Sequence, residues 1–307
     1  VAFLYASIAA ILGMRLRQVC NESGLNHYMG IAISAFVATI IAWASTLLPA
    51  EWTSTPWHPL LACALFIVPG VPLINFVDDM LDNYIQVGIV RAVNTLLMVA
   101  AMAFGIAFAV KLCHIENFFP TISMVPHHQY WEYAIAAAIS AMGFSMIFNI
   151  QRRLLWVVAI GGIIAVCTRN FVNLGPSTDN IGLDMGLVIG SFSGAVLVSL
   201  IAIKAVHWFH VPNHVLTIPS VIPMIPGVLM YRMLFGIINI NVQSIDQVTP
   251  LMKAIESGVN SGLVIMCIAL GVAIPNIFGR RFIASSKNKR LAELLKERKA
   301  RGKFVEW

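Results

Sequence analysis

Charge is scarce in this 307-residue sequence, and its scarcity excludes a soluble globular protein. Only 11% of the residues are charged and 59% are hydrophobic, whereas typical soluble domains carry about 25% charged residues. The apolar stretches are about 20 residues long, which is the length of a bilayer-crossing helix rather than the ten-residue alternation of an outer-membrane strand. We therefore predict an all-α membrane protein, a polytopic helical bundle.

Motifs for catalysis, nucleotide binding and metal binding are missing as well. The sequence contains no HExxH or GxSxG, no carboxylate pair well inside an apolar stretch, no nucleotide-binding motif and no CxxC pair among its five cysteines. We predict that the protein is not an enzyme, binds no cofactor, metal or nucleic acid, and draws on an ion gradient for any transport. The cysteines, and the histidines near 127–128 and 207–214, are interpreted as core and interfacial residues.

The apolar stretches that are present predict nine membrane spans. The sequence opens at Val1 inside one of these stretches. If both chain ends lie on the same side of the membrane, the number of spans is even, which would require one more span before Val1 and ten in all. The expected spans cover 1–18, 28–49, 58–77, 87–111, 131–150, 154–171, 185–206, 214–237 and 254–278.

The distribution of Lys and Arg predicts the orientation, because cationic residues favour cytoplasmic loops. Ten of them follow Gly279, so the C-terminus is predicted to lie in the cytoplasm of a bacterium, with the spans in its inner membrane. The tail is either a basic helix that lies on anionic lipid or a solvated topology signal. Alternation of the spans places six further cations on the same side, called the basic face below: Arg15, Arg17, Arg91, Arg152, Arg153 and Lys204.

Two Pro-Gly motifs interrupt apolar stretches and predict an inverted repeat. Pro69-Gly70 lies on the third expected span and Pro226-Gly227 on the eighth. Five spans separate them, and because five is odd the chain crosses the membrane in opposite directions at the two motifs. Both prolines fall about 16–18 Å into their spans, near the bilayer centre. Interrupted helices at matching positions of inverted repeats are typical of transporter binding sites.

The repeat divides the chain into four parts. They are a first transmembrane repeat at 1–112 that lacks its first span, an outer loop at 113–130, a second transmembrane repeat at 131–279, and a basic cytoplasmic tail at 280–307.

The sequence around both motifs resembles the threonine/serine exporter family. The resemblance rests on "LFIVPGVPLINFVDDMLDNYIQVGIVRAVNTLL" in the first repeat and on "GFSMIFNIQRRLLWVVAIGG" and "IPSVIPMIPGVLMY" in the second. It implies ten spans in two five-span halves, and it is closest to the branch whose two modules can be separate subunits, implicated in succinate export. The matching positions are Pro69, Gly70, Pro72, Leu73, Asn75, Asp79, Gly88, Arg91, Gly143, Asn149, Arg153, Arg169, Pro223, Pro226, Gly227 and Tyr231.

The expected function is therefore a proton-coupled secondary transporter that exports small carboxylate-bearing metabolites. Threonine and serine are the first expectation for its substrate and dicarboxylates such as succinate the alternative; a passive channel or a non-transporting membrane subunit is the alternative of another class. Lipids are expected partners, and a homo-oligomer is left open. Candidate substrate-binding residues are Pro69, Gly70, Asn75, Pro226, Gly227, Tyr231 and Arg232; candidate proton-coupling residues are Asp79, Asp78 and Arg91; Asn149, Arg153 and Arg169 are further candidates.

Arg232 provides a test of the predicted substrate site, because an ionisable residue inside a membrane span is a functional candidate. It lies six residues past Pro226, as Asn75 lies six past Pro69. If its planar guanidinium clasps a carboxylate with two hydrogen bonds, Arg232→Lys keeps the charge but loses this geometry, and affinity in proteoliposomes should fall roughly tenfold. Wild-type affinity in the Lys variant would instead make Arg232 an anchor that reaches the membrane interface.

Overall fold

A computed structural model shows a bundle of helices. It describes residues 2–47, 59–60, 69–114, 129–176, 181–209, 211–238 and 248–300. Ten α-helices lie in these ranges: α1 Ala2–Glu22, α2 His27–Trp43, α3 Gly70–Leu81, α4 Ile85–Leu112, α5 Tyr130–Ile147, α6 Leu155–Asn173, α7 Gly186–Phe209, α8 Asn213–Val221, α9 Gly227–Ile238 and α10 Val248–Ala300. The expected all-α membrane architecture is thereby confirmed in class.

Six of the expected spans coincide with helices that are long and apolar enough to cross a bilayer. These helices are Phe3–Glu22, His27–Leu47, Ile85–Leu112, Arg152–Asn173, Gly186–Val206 and Leu251–Gly279. The helix Tyr130–Ile147 stands where a seventh is expected, but it is not among those six. Residues 58 and 61–68 of the expected span 58–77, and most of the expected outer loop 113–130, lie outside the described residues. The count of nine spans and the inverted repeat stay predictions.

The eighth expected span, 214–237, is one helical path with a sharp bend. The segments Asn213–Met224 and Gly227–Met233 meet at 55°. The first segment ends in a 3-10 turn at Ile222–Met224. Pro223 and Pro226 carry no N–H to donate to a backbone carbonyl, so the regular α-helix is broken here. At the first Pro-Gly motif, α3 begins at Gly70 with Pro69 as its N-cap residue, and residues 61–68 lie outside the described residues.

The two broken spans interlock the halves of the chain. Ile74 and Val77 of α3 belong to a core otherwise built by helices of the second half. In the opposite direction, Met230 and Tyr231 of α9 are buried in the core that α2 and α4 form in the first half. Each half therefore completes the hydrophobic core of the other.

Small residues let the helices approach closely, as is usual where lipid supplies no hydrophobic force between helices. A Cβ added at Gly105 of α4 would collide with the backbone carbonyl of Ala32 in α2. On the other side of the bundle, a Cβ at Gly194 of α7 would come within 2.5 Å of the carbonyl oxygen of Ala165 in α6. These contacts set backbone against backbone, which leaves no flexible side chain to make room.

The last helix extends well beyond its expected span. The apolar part of α10 ends at Gly279, but the helix continues without interruption to Ala300. The basic tail is thus a continuation of the membrane helix as far as that residue. Whether the tail lies on anionic lipid or is a solvated topology signal stays a prediction. Residues 301–307 lie outside the described residues.

The close contact of α2 and α4 predicts how a single methyl group affects stability. Gly105→Ala should lower the free energy of unfolding by about 1–3 kcal/mol, because the backbone of Ala32 must move. The matched control is Gly262→Ala in α10, where an added Cβ would meet nothing within 4 Å. Thermal unfolding in detergent micelles measures both, and equal midpoints for the two variants would contradict the expected collision.

Candidate functional site

The two Pro-Gly breaks lie against each other inside the bundle. A Cβ built on Gly70 would stand 2.9 Å from Cδ1 of Ile225 and 3.6 Å from the side chain of Ile222. Ile222 and Ile225 flank the 3-10 turn of the second break, whereas Gly70 opens the helix that follows the first. The glycine leaves room for the end of the Ile225 side chain beside the first motif.

An antiparallel seam runs from this contact towards the basic face. Gly70 at the start of α3 meets Ile222 just past the end of α8, and Asp78 near the end of α3 meets His214 at the start of α8. Between these two points, Ile74 and Ile218 are buried in one hydrophobic cluster. The two half-helices therefore lie side by side in opposite directions over eight residues.

A cavity of about 460 Å³ lies beside the breaks, a volume suited to a small metabolite. The first break supplies Pro69, Gly70, Val71 and Pro72 to its wall, and the second break supplies Ile222. Phe144, Ile147 and Phe148 at the end of α5 form an apolar side. The remaining lining residues are Met14, Arg17, Gln18, Asn21, His27 and Met98.

The polar side of the cavity favours negative charge. Arg17 supplies a permanent cation, His27 a second group that can become cationic, and Gln18 and Asn21 supply amide groups. The N-terminus of α3 at Gly70 adds the positive end of a helix dipole. None of the described residues that line the cavity is acidic. This arrangement can hold carboxylates by charge and by hydrogen bonds.

Arg17 and its neighbours are site residues that the sequence interpretation missed. Arg17 was used there only to assign the basic face, yet a signal was present in the spacing. Met14, Arg17, Gln18 and Asn21 follow one another at intervals of three, one and three residues, which places them on one face of a helix. A polar stripe on an otherwise apolar span predicts a water-filled or ligand-filled space beside it.

Arg169 supports the second break from the side of α6. Its Nη1 donates to the carbonyl oxygen of Met224 over 3.5 Å, and its Nε donates to Oδ1 of Asn170 over 3.3 Å. The bend between Met224 and Gly227 takes this carbonyl out of the regular helical hydrogen bonds, so it needs a partner from elsewhere. Arg169 was a candidate without an assigned role, and the contact offers it one in holding the broken backbone.

The candidate substrate-binding residues divide into two groups. Pro69 and Gly70 line the cavity, and Pro226 and Gly227 form the second break that packs beside it. Asn75, Tyr231 and Arg232 are not among the cavity's lining residues. Tyr231 is buried in the core, where its hydroxyl lies 3.6 Å from Sδ of Met102, and Arg232 is half-buried on α9.

The candidate proton-coupling residues form two separate ion pairs at the basic face. Arg91 Nη1 lies 2.6 Å from Oδ2 of Asp79, which ties α4 to α3 across the turn between them. His214 Nε2 lies 3.8 Å from Oδ2 of Asp78, which ties α8 to α3. Adjacent aspartates thus point to different partners, and the role of Asp79 in proton coupling stays a prediction.

The remaining two candidates lie in the turn between α5 and α6. Asn149 is exposed and adopts a left-handed backbone conformation with φ of 54°, which asparagine tolerates better than most residues. Arg153 is exposed, and its Nε donates to Oε1 of Gln151 over 2.7 Å. Both residues shape this turn, and neither lines the cavity.

The contact between the breaks predicts an energetic coupling between Gly70 and Ile225. Gly70→Ala should destabilise the protein, because its new methyl group needs the space that Cδ1 of Ile225 occupies. Ile225→Val removes that carbon and should offset part of the loss, giving a coupling of about 0.5 kcal/mol or more in a double-mutant cycle. Thermal unfolding of the four proteins gives the answer; strictly additive effects would mean that the breaks do not touch.

Comparison with known proteins places both halves of the chain. Residues 133–278 match the family model described as "Threonine/Serine exporter, ThrE", and residues 1–113 match a second model of a threonine/serine exporter. These two ranges agree with the two transmembrane repeats predicted from the sequence, and with the family that both repeats resemble.

Two curated relatives are named "Probable succinate transporter subunit YjjP". The protein from Klebsiella aerogenes is 34% identical over 104 residues, which is 34% of this chain and 40% of the relative. The protein from Escherichia coli strain K12 is 32% identical over 104 residues, with the same coverage. The match thus spans well under half of each relative, and no solved structure matches. The paired family matches show that this chain belongs to the threonine/serine exporter family, a family of multi-pass membrane transporters.

Proposed function

We propose that this protein is a secondary transporter that exports small dicarboxylates. The observation that carries the proposal is the cavity beside the two breaks, whose described lining has Arg17, His27, two side-chain amides and a helix N-terminus but no acidic group. A dianion finds the charge of Arg17 there, together with hydrogen-bond donors from other polar lining residues. The family supports export, and the name of the two relatives supports a dicarboxylate as cargo.

Charge separates this substrate class from the amino acids expected first from the sequence. Threonine and serine carry an ammonium group besides their carboxylate, and a buried ammonium needs an acceptor or a counter-charge. Among the described lining residues, Gln18 and Asn21 supply only neutral oxygens. The description of the family keeps threonine and serine as the second candidate.

The interrupted helices support a carrier rather than a channel. Breaks near the bilayer centre create free backbone groups that can hold substrate, and small movements of half-helices can expose them to one side at a time. Here Gly70 packs on Ile222 and Ile225, so the meeting point of the breaks is closed by apolar side chains next to the cavity. A proton gradient across a bacterial inner membrane is the proposed driving force.

Arg17 tests the proposed recognition. Arg17→Gln should weaken succinate binding about tenfold or more, because a hydrogen bond to a charged group contributes about 1.5–3 kcal/mol. The matched control is Arg152→Gln, since Arg152 is an exposed cation of the same basic face that does not line the cavity. Purified protein in liposomes, loaded with unlabelled succinate and diluted into labelled succinate, reports the apparent affinity through counterflow.

The outcomes of this measurement separate the candidates. Transient accumulation of labelled succinate indicates a carrier, whereas simple equilibration indicates a channel. Accumulation of labelled serine or threonine in place of succinate would contradict the dicarboxylate proposal and favour the second candidate. Equal loss of affinity in the Arg152 and Arg17 variants would remove Arg17 from the site.

A further inference from the structure

His214 and Asp78 form a polar contact between the two halves of the chain. Nε2 of His214 lies 3.8 Å from Oδ2 of Asp78, and the two side chains are 37% and 16% exposed. The distance exceeds a good hydrogen bond but lies within the range of an ion pair, so the attraction depends on whether the imidazole carries a proton. The contact is partly screened from water and yet open enough for protons to reach it.

The surroundings of His214 are polar and incompletely satisfied. Nδ2 of Asn276 in α10 lies 3.4 Å from the same Nε2 atom. Asn213 is only 8% exposed, and neither its Oδ1 nor its Nδ2 has a hydrogen-bond partner among the described residues. A buried amide without partners is costly unless water or another polar species reaches it. The site therefore favours water beside the imidazole.

The antiparallel seam connects this contact with the breaks. Asp78 lies eight residues beyond Gly70 on α3, and His214 lies eight residues before Ile222 on the path through α8. At 1.5 Å per residue, the ion pair and the contact of the breaks are about 12 Å apart along both half-helices. The ion pair and the wall of the cavity therefore lie at opposite ends of the same two half-helices.

Among the described side chains, few other charged groups compete for His214; those of Arg280 and Arg281 in α10 lie outside the described residues. The helices packed against α8 supply Asp78 from α3, the exposed Lys204 from α7, and the exposed Arg152 and Arg153 from the turn before α6. The acidic residue of α5, Glu132, lies in its first turn at the opposite end of that helix. On α10 the nearby side chain is the neutral Asn276.

We infer that His214 and Asp78 form the proton-binding clasp that couples transport to the proton gradient, an inference that rests on the proposed transport function. Proton uptake on Nε2 makes the imidazole cationic and draws α3 to α8 at the basic face. Proton release leaves a neutral ring and relaxes the seam. The clasp thereby assigns coupling to Asp78 with a histidine from the second half, rather than to Asp79, which pairs with Arg91.

The test separates proton coupling from substrate transport itself. Full-length protein in liposomes is assayed for succinate counterflow without a gradient and for accumulation driven by a pH gradient. His214→Gln should keep counterflow within about twofold of wild type, lower the gradient-driven rate at least tenfold, and remove the dependence of counterflow on pH, because glutamine takes up no proton. Asp78→Asn should behave in the same way.

The matched control is His114→Asn, because His114 is an exposed histidine outside the cavity with a left-handed backbone that asparagine accepts. It should retain the gradient drive and the pH dependence. Retained gradient drive in His214→Gln would overturn the clasp, and so would equal loss of counterflow and drive in both clasp variants, which would indicate a structural contact. If wild-type protein carries serine instead of succinate, the substrate proposal fails while the same comparison, made with serine, still decides the clasp.

Discussion

The requirement that no backbone group be left without a partner in the bilayer shapes this protein. A proline inside a span frees a carbonyl that costs several kcal/mol if nothing reaches it. The chain has two such interruptions and sets them against each other, with Gly70 packed on Ile222 and Ile225. The carbonyl of Met224 receives a side-chain donor from Arg169. Once the breaks meet, α3 has to enter the core of the second half and α9 the core of the first.

This interlocking explains why polar groups converge at one place. The breaks cannot fill all the space between the halves, because their half-helices end there. The remaining volume is enclosed by the end of α5 on one side and by α1 on the other. Since α1 brings a polar stripe with Arg17 to that volume, the cavity combines an apolar wall with a cationic one. The same arrangement supports both the proposed recognition of a dianion and its release when the halves move.

The sequence predicted the architecture better than the site. Spacing and hydropathy identify six spans and locate both interruptions, because these depend on local composition. The parity of the two Pro-Gly motifs also predicts the opposite directions in which the chain runs through them. Arg17 was overlooked because a cation near a span end has an ordinary explanation in topology. The contact of Asp78 with His214 could not be predicted, because it joins residues from different repeats whose register only the packing of α3 on α8 determines.

The continuous last helix has a mechanical consequence. With 53 residues, α10 is about 80 Å long, of which roughly 30 Å lies past Gly279. It also carries Asn276 beside His214, next to Pro275 inside the helix, so the helix touches the proposed clasp close to the end of its apolar part. A tilt of about 10° at that point would swing Ala300 sideways by about 5 Å, given the rise of a helix. The position of the tail in the aqueous phase would then depend on the arrangement of the helices within the membrane.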